Sequence, residues 1–384
     1  MPKVSILIPV YNDEIFIEDL LKSILSQTFQ NFECLIYNHG STDKSQEMLE
    51  NFSIIDKRIK IFVAQQNMGN GANNKLLQHA TGEYIKFFCA DDVMLPNCLE
   101  KQVSFFEDKK NNKYSVLLSR VIEINNKGVE FNRNKNTYVN KSWDEYLNYI
   151  FYRCNPEFSF PAVMIRKSAI CDNMNLFDER FAQLNDVVLW INLFFQKKEF
   201  YVLNDFLIKY RKHDNNISNL NSIKKRARLI FEYQRILEFY LININTFDNL
   251  LKIFPEAQDY LENLNENDLD LIPFIICQLA LKVNYRINPY IEVHKNFAIN
   301  QLFNILQNNN IAQKIYEKFN FTYSDFKNLT LKNPNGLDIA YLYKSKNLDY
   351  TSLKKRKGLL RFIYTIRKKI IKIRIKNMQK IFLN

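Results

Sequence analysis

Two adjacent carboxylates, Asp91 and Asp92, follow Glu83 to Phe88, a short apolar run with the length and bounds of a strand. Carboxylates at the C-terminal end of a parallel strand stand where open α/β sheets place their ligands. Hard oxygen donors in that position suit Mg²⁺ or Mn²⁺, which bind through one or two carboxylates together with substrate phosphates. The spacing leaves a second reading open: Asp92 precedes Leu95-Pro96 and a helical pattern through Leu99 and Val103, so it could serve as a helix cap. A third carboxylate, Asp186, stands four residues before Trp190. That spacing puts both on one helical face, where the indole can anchor the helix that presents the acid. Taken alone, Asp186 reads as a solvated residue at a helix start. Tyr11, just beyond an apolar run, reads by position as ordinary strand-end packing. His213 is one of four histidines and lies in a polar stretch, the setting of a surface residue. The Gly69-Asn70-Gly71 loop follows the third predicted strand instead of the first, and it lacks the third glycine of a dinucleotide fingerprint, which excludes NAD binding.

The elements that would position these groups alternate. Val4 to Val10 is a nearly continuous apolar run, as in a strand buried on both faces of a parallel sheet. Glu14 to Gln27 carries apolar residues at helical spacing. Phe32 to Tyr37 reads as a second strand closed by turn residues Asn38 to Ser41, followed by a helix through Met48 and Leu49. Ile59 to Ala64 is a third strand, Asn67 to Gly71 a loop, Asn73 to Ala80 a helix and Glu83 to Phe88 a fourth strand. This order predicts an α/β fold with helices on the faces of a mostly parallel, Rossmann-like sheet. The pattern weakens towards Ser218; Lys224 to Ile244 and Asp268 to Val283 then look helical. The expected organisation is a catalytic domain over 1–218, a mostly helical region over 219–350 and a tail over 351–384, with no internal repeat.

Composition bounds the class. A hydrophobic fraction of 47% and an aromatic fraction of 14% mark a globular chain. The net charge of +12 is carried by the tail: Thr351 to Asn384 holds twelve Lys or Arg and no acidic residue, and the rest is balanced at 41 of each sign. None of the six cysteines forms a CxxC pair, so buried reduced thiols are expected. The N-terminus opens directly into a strand pattern, and the longest strongly apolar run, Leu271 to Val283, is too short to span a bilayer. A cytoplasmic protein is the expectation.

The first ninety-six residues resemble the family 2 glycosyltransferases with the GT-A fold. The resemblance rests on Val4 to Asn12 (VSILIPVYN), Ser26-Gln27-Thr28-Phe29, Gly40-Ser41-Thr42-Asp43, and Thr81 to Ile85 leading to Asp91 to Pro96. Asp186 with Trp190, then Tyr210-Arg211-Lys212-His213 with Ser218, resemble later motifs of the family. The resemblance implies an inverting transfer from a nucleotide diphosphate sugar, with a UDP-sugar favoured. It implies donor contacts at Pro9, Tyr11, Asn12, His39, Lys75, Ala90 and Asp92, a metal held by Asp91 and His213, and Asp186 as the catalytic base. Mn²⁺ or Mg²⁺ would be the cofactor, and a glycan or lipid-linked saccharide of bacterial surface polysaccharide synthesis the acceptor. The sequence departs from the pattern twice. Cys89 stands where the family has the first carboxylate of its DxD motif, and Asn38-His39 stand where two Asp usually precede Gly-Ser. A non-catalytic, membrane-bound relative that kept the fold is the alternative those departures raise.

In the tail, Leu359, Ile363, Ile366, Ile370 and Ile373 share one helical face, while Lys368, Lys369, Lys372, Lys376 and Lys380 lie mostly on the other. A basic amphipathic helix lies on an anionic membrane surface, which predicts a peripheral protein on the inner face of the cell membrane. The scarcity of aromatic residues there argues against nucleic acid as the partner.

Overall fold

The computed structural model describes residues 1–331, apart from 70, 134–138, 156–157, 171–175, 215, 218–221, 285–287 and 289. The tail over 351–384, with the amphipathic helix expected there, and Ser218 therefore lie outside the described residues. Met1–Phe326 form one compact unit; Lys327–Asn384 form a second, of which only the last turn of a helix is described.

The chain begins β1 (Val4–Val10), α1 (Glu14–Leu25), β2 (Phe32–His39), α2 (Ser45–Ile55), β3 (Ile59–Ala64), α3 (Gly71–His79) and β4 (Tyr84–Phe87). These four strands pair in parallel in the order β3-β2-β1-β4, with Leu7 opposite Leu35 on one side and Phe87 on the other. A two-residue β5 (Val93–Met94), α4 (Cys98–Glu107), β6 (Tyr114–Ile124), β7 (Glu130–Arg133), α5 (Trp143–Arg153), β8 (Met164–Arg166), α6 (Asn185–Phe195) and β9 (Glu199–Arg211) follow. They extend the same sheet through β8, β6, β9 and β5; β8 enters antiparallel, while β6 and β9 run parallel to each other. Beyond the sheet come α7 (Ile223–Asn243), α8 (Phe247–Ile253), α9 (Ile272–Leu281), α10 (Ile291–Ile305), α11 (Asn309–Phe319) and α12 (Tyr323–Leu331).

The apolar faces of α1 and α4 bury Ile17, Leu20, Leu21, Ile24, Leu99 and Val103 against one face of the sheet. On the other, α5 and α6 pack through aromatic rings. Trp190 is fully buried, with ring centroids 5.8 Å from Phe200 and 6.2 Å from Phe158. Burying one such ring contributes about 2–3 kcal/mol by area.

Three elements differ from the sequence expectation. The second strand runs two residues further, through His39, and the turn falls on Gly40. Gly40 has φ of +89°, and a Cβ there would lie 2.9 Å from the backbone of Gln66, so only glycine suits the position. The helix expected from Asp268 is split: a 3-10 turn over Glu266–Leu271, opened by the Asn265 cap, precedes α9. Pro273, which has no N–H to give, sits in the first turn of α9, where none is required. Finally, α4 starts after Asn97, so Asp92 is not its cap. Among the described residues no helix is long and apolar enough to cross a membrane.

Candidate active site

The site sits beyond the C-terminal ends of β1, β2 and β4, where three chain segments meet. In the first, Asn12 takes the left-handed conformation (φ +57°) and swings the loop after β1 onto the loop after β2. The Thr42 N–H donates to Asn12 Oδ1 at 2.8 Å, the Asn12 N–H to Ser41 Oγ at 3.0 Å, and the Asp13 N–H to Ser45 Oγ at 3.0 Å. Asp13 is half-buried, and burial, with Asp91 and Asp43 nearby, raises its pKa to about 6. Tyr11 is 40% exposed, so its ring is open to a ligand instead of being consumed by strand-end packing. It stacks at 5.5 Å on the ring of His39, tilted by 26°. Pro9 is half-buried at the end of β1 and Ala90 is buried.

Burial keeps the His39 ring neutral by lowering its pKa. Its Nδ1 lies 3.0 Å from Asn67 Oδ1, which also accepts the Gly69 N–H at 2.8 Å; the Met68 N–H approaches the same nitrogen at 3.3 Å. Either tautomer engages Nδ1 with this loop, and Nε2 is the nitrogen left for a ligand. Lys75 is exposed on α3, and among the described residues no hydrogen bond or ion pair joins it to the acidic centre.

The second segment carries the acids. Cys89, Asp91 and Asp92 present donor atoms within 4.8 Å of one another. Asp91 Oδ2 lies 2.8 Å from His213 Nε2 and accepts from Asn216 Nδ2 at 3.0 Å, contacts that span more than 120 residues of sequence. Asp92 is fully buried. Its Oδ1 accepts the Arg211 N–H at 2.8 Å, whereas Oδ2 has no partner. Burial first, and the neighbouring Asp91 charge second, push its pKa well up. Burial and the surrounding carboxylates Asp92, Asp91, Asp186 and Asp13 likewise raise the pKa of the Cys89 thiol. The oxygens of Asp91 and Asp92, with the His213 imidazole against Asp91, are donors that Mg²⁺ or Mn²⁺ accepts.

Arg211, only 1% exposed at the end of β9, ties these pieces together. Its Nε donates to the Asp91 carbonyl at 2.7 Å and its NH1 to the Asn126 carbonyl at 2.9 Å; NH2 reaches Asp19 at 3.0 Å, and the guanidinium lies over the Phe16 ring. The acidic turn is thus pinned through its backbone, while the Asp91 side chain meets His213 and Asn216.

The third segment is the N-terminus of α6. Asp186 is half-buried in its first turn and accepts the Val187 N–H at 2.8 Å. Burial raises its pKa to about 6, and the charge of Glu232 adds to the rise. Four residues on, Trp190 holds the helix in the aromatic layer.

The structure thus brings Asp91, Asp92, Asp186 and His213 together around Cys89, and Tyr11 with His39 beside them; Lys75 is not joined to them. Sequence reasoning gave no role to Asp13, Arg211, Asn216 or Glu232. Asp13 and Arg211 lie next to or inside the motifs named above, so a signal existed. Glu232 is one polar position among many on a helix and carried none.

Residues 5–172 match the model of glycosyl transferase family 2. An uncharacterized glycosyltransferase of Methanocaldococcus jannaschii is 30% identical over 231 residues, covering 58% of this chain and 76% of that protein. The GalNAc(5)-diNAcBac-PP-undecaprenol beta-1,3-glucosyltransferase of Campylobacter jejuni is 24% identical over 300 residues, 74% of this chain and 90% of the relative. In fold, the chain is similar to S. aureus TarS 1-349, whose crystal structure was solved in complex with UDP-GlcNAc (TM-score 0.53, 19% identity, 78% of this chain and 89% of that one). With a mixed, largely parallel sheet that gathers its acids at the strand ends, and with these relatives, the chain belongs to the family 2 glycosyltransferases and has their GT-A fold.

Proposed function

We propose that this glycosyltransferase moves a sugar from a UDP-sugar to a hydroxyl of a glycan or lipid-linked saccharide, with inversion at the anomeric carbon. The observation that carries the reading is the meeting of Asp91 with His213 at 2.8 Å, beside the raised carboxyl of Asp186. The nucleotide base lies against Tyr11 and Pro9, with His39 Nε2 turned to its edge. Asp91 and His213 are the residues that would hold Mg²⁺ or Mn²⁺, with the spare oxygen of Asp92 behind them. When bound, the cation supplies positive charge against the diphosphate leaving group. Asp186 accepts the proton of the acceptor hydroxyl as its oxygen bonds to the anomeric carbon from the face opposite the diphosphate, and the bond from that carbon to the diphosphate oxygen breaks. Half-burial suits this role: a base with a pKa near 6 is ionised at neutral pH yet strong enough to take a proton. The Campylobacter relative, named for a substrate carried on PP-undecaprenol, supports a lipid-linked acceptor.

The test is incubation with a panel of UDP-sugars and Mn²⁺, with UDP release and the product anomer followed by NMR. Inverted product from a UDP-sugar is the expected result; a retained anomer, or no donor turned over under any metal, sinks the reading.

Lipid-linked acceptors make tethering useful, and the twelve cations of 351–384 would provide it on the cytoplasmic face of the membrane. Each basic residue near an anionic surface contributes about 1 kcal/mol before screening. The full chain is expected to sediment with vesicles containing phosphatidylglycerol and to be released in large part by salt at about 1 M, where the Debye length is about 3 Å. Replacing Lys368, Lys369, Lys372 and Lys376 with Gln should weaken sedimentation; if it does not, the tail is not the tether.

A further inference from the structure

Glu232 is 2% exposed in the middle of α7, sixty residues beyond the end of the family match. Its partners are main-chain groups. The carboxylate receives three consecutive backbone N–H groups at the entry to α6: Ala182 to Oε1 at 2.9 Å, and Gln183 and Leu184 to Oε2 at 2.9 and 2.8 Å. These are charge-assisted bonds to a carboxylate in a buried place, the strong kind. They fix the peptide that ends two residues before Asp186. Seven residues earlier on the same helix, Lys225 Nζ donates to the Asn216 carbonyl at 2.6 Å, and Asn216 in turn donates to Asp91. Gln183 Nε2 closes the circuit on the Ile217 carbonyl at 3.1 Å. One rigid helix therefore grips both the segment with the base and the segment that touches the metal carboxylate.

We infer that α7 is a bracket that sets the separation of Asp186 from Asp91, with Glu232 as the positioning residue for the base and Lys225 as the one for the metal side. The inference rests on the proposed role of Asp186. It gives the helical region a part in catalysis: the helix N-terminus that carries the base is itself held from outside the sheet domain. A misplacement of about 1 Å at a reacting group costs roughly a hundredfold in rate.

The two anchors predict different kinetic signatures. Glu232→Ala is expected to lower kcat about ten- to hundredfold with the donor KM within about twofold of wild type. Glu232→Gln keeps an oxygen acceptor, should recover part of that loss, and shifts the acid limb of the kcat profile to lower pH, because one of the charges that raise Asp186 is gone. The titratable groups facing Asp186 are Glu232 and Tyr233 from α7 and Cys89 from beyond β4, and only the first is altered. Lys225→Met acts on the other arm and should raise the donor KM or the Mn²⁺ requirement more than it lowers kcat. Should Glu232→Ala fail to fold, Glu232→Gln and Lys225→Met carry the test. Wild-type kcat in folded Glu232→Gln with an unmoved acid limb overturns the bracket, as does the same kinetic change from both anchors. Asp186→Asn is assayed in parallel: if it stays active, the base assignment has failed; if it is inactive while the α7 variants match wild type, only the bracket has.

Discussion

Asp91→Ala is expected to abolish metal-dependent transfer, with kcat/KM down by at least about three orders of magnitude. The size follows from what the carboxylate holds: charge stabilisation of a leaving group by a bound cation is worth several kcal/mol, and each 1.4 kcal/mol is about a factor of ten. The same change strips His213 Nε2 and the Asn216 amide of their shared acceptor, so the imidazole loses its alignment too. The fold should survive, because the turn is held through the Asp91 carbonyl and Arg211, a main-chain contact that the substitution leaves in place. The measurement is UDP release with EDTA and with added Mn²⁺. Wild type should lose activity in chelator and regain it with Mn²⁺, while the variant responds to neither. A variant within about tenfold of wild type would remove Asp91 from the metal site.

How much of this was legible in the sequence depends on how local the signal was. β1, β2 and β4 are short, largely apolar runs between turn residues, and a strand buried on both faces leaves that mark in any parallel sheet; β3, at the sheet edge with only Ile59 buried, was legible from its apolar content alone. The half of the sheet built by β6, β8 and β9 was not located. β9 alternates buried and half-exposed positions irregularly over thirteen residues, and β6 meets it through three register shifts, so neither keeps a clean period of two. The same divide holds in the site. Asp91 was singled out by its strand-end context, whereas Asp186 was singled out by the resemblance to a later motif of the family, since its helix-start context alone reads as a solvated residue. Arg211 and Glu232 act at a distance in sequence, on main-chain atoms: an arginine reaching the Asp91 carbonyl and a glutamate receiving the N–H groups of 182–184. Backbone partners leave no compositional trace, so only the folded chain reveals them. Asp92 is the instructive middle case. Its position allowed a cap or a ligand. The structure gives it neither a helix to cap nor a free surface, but a buried carboxyl with one oxygen on the Arg211 N–H and the other unused.

Asp186→Asn is expected to lower kcat by about two to four orders of magnitude, the usual worth of a general base, with donor affinity nearly unchanged. It should at the same time stabilise the protein. The folded pKa of Asp186 is raised from 3.8 to about 6, so between those values the native state holds a proton that the unfolded chain has released. Stability contributed by this group therefore falls as pH rises through that window, and above it the ionised, half-buried carboxylate costs on the order of 1–3 kcal/mol. Asparagine fills the same space without ionising and escapes that cost. A melting temperature a few degrees above wild type at about pH 7.5, converging with it near pH 4, is the expected signature, and calorimetry across that range measures it. Wild-type kcat should fall below about pH 6 as Asp186 takes up its proton. Asp13 is raised to the same value, so the limb alone does not identify the group; its movement in Glu232→Gln, which leaves Asp13 untouched, does. A variant that loses donor affinity together with kcat, or that melts below wild type at neutral pH, would make Asp186 a donor or structural residue and leave the proton without an acceptor.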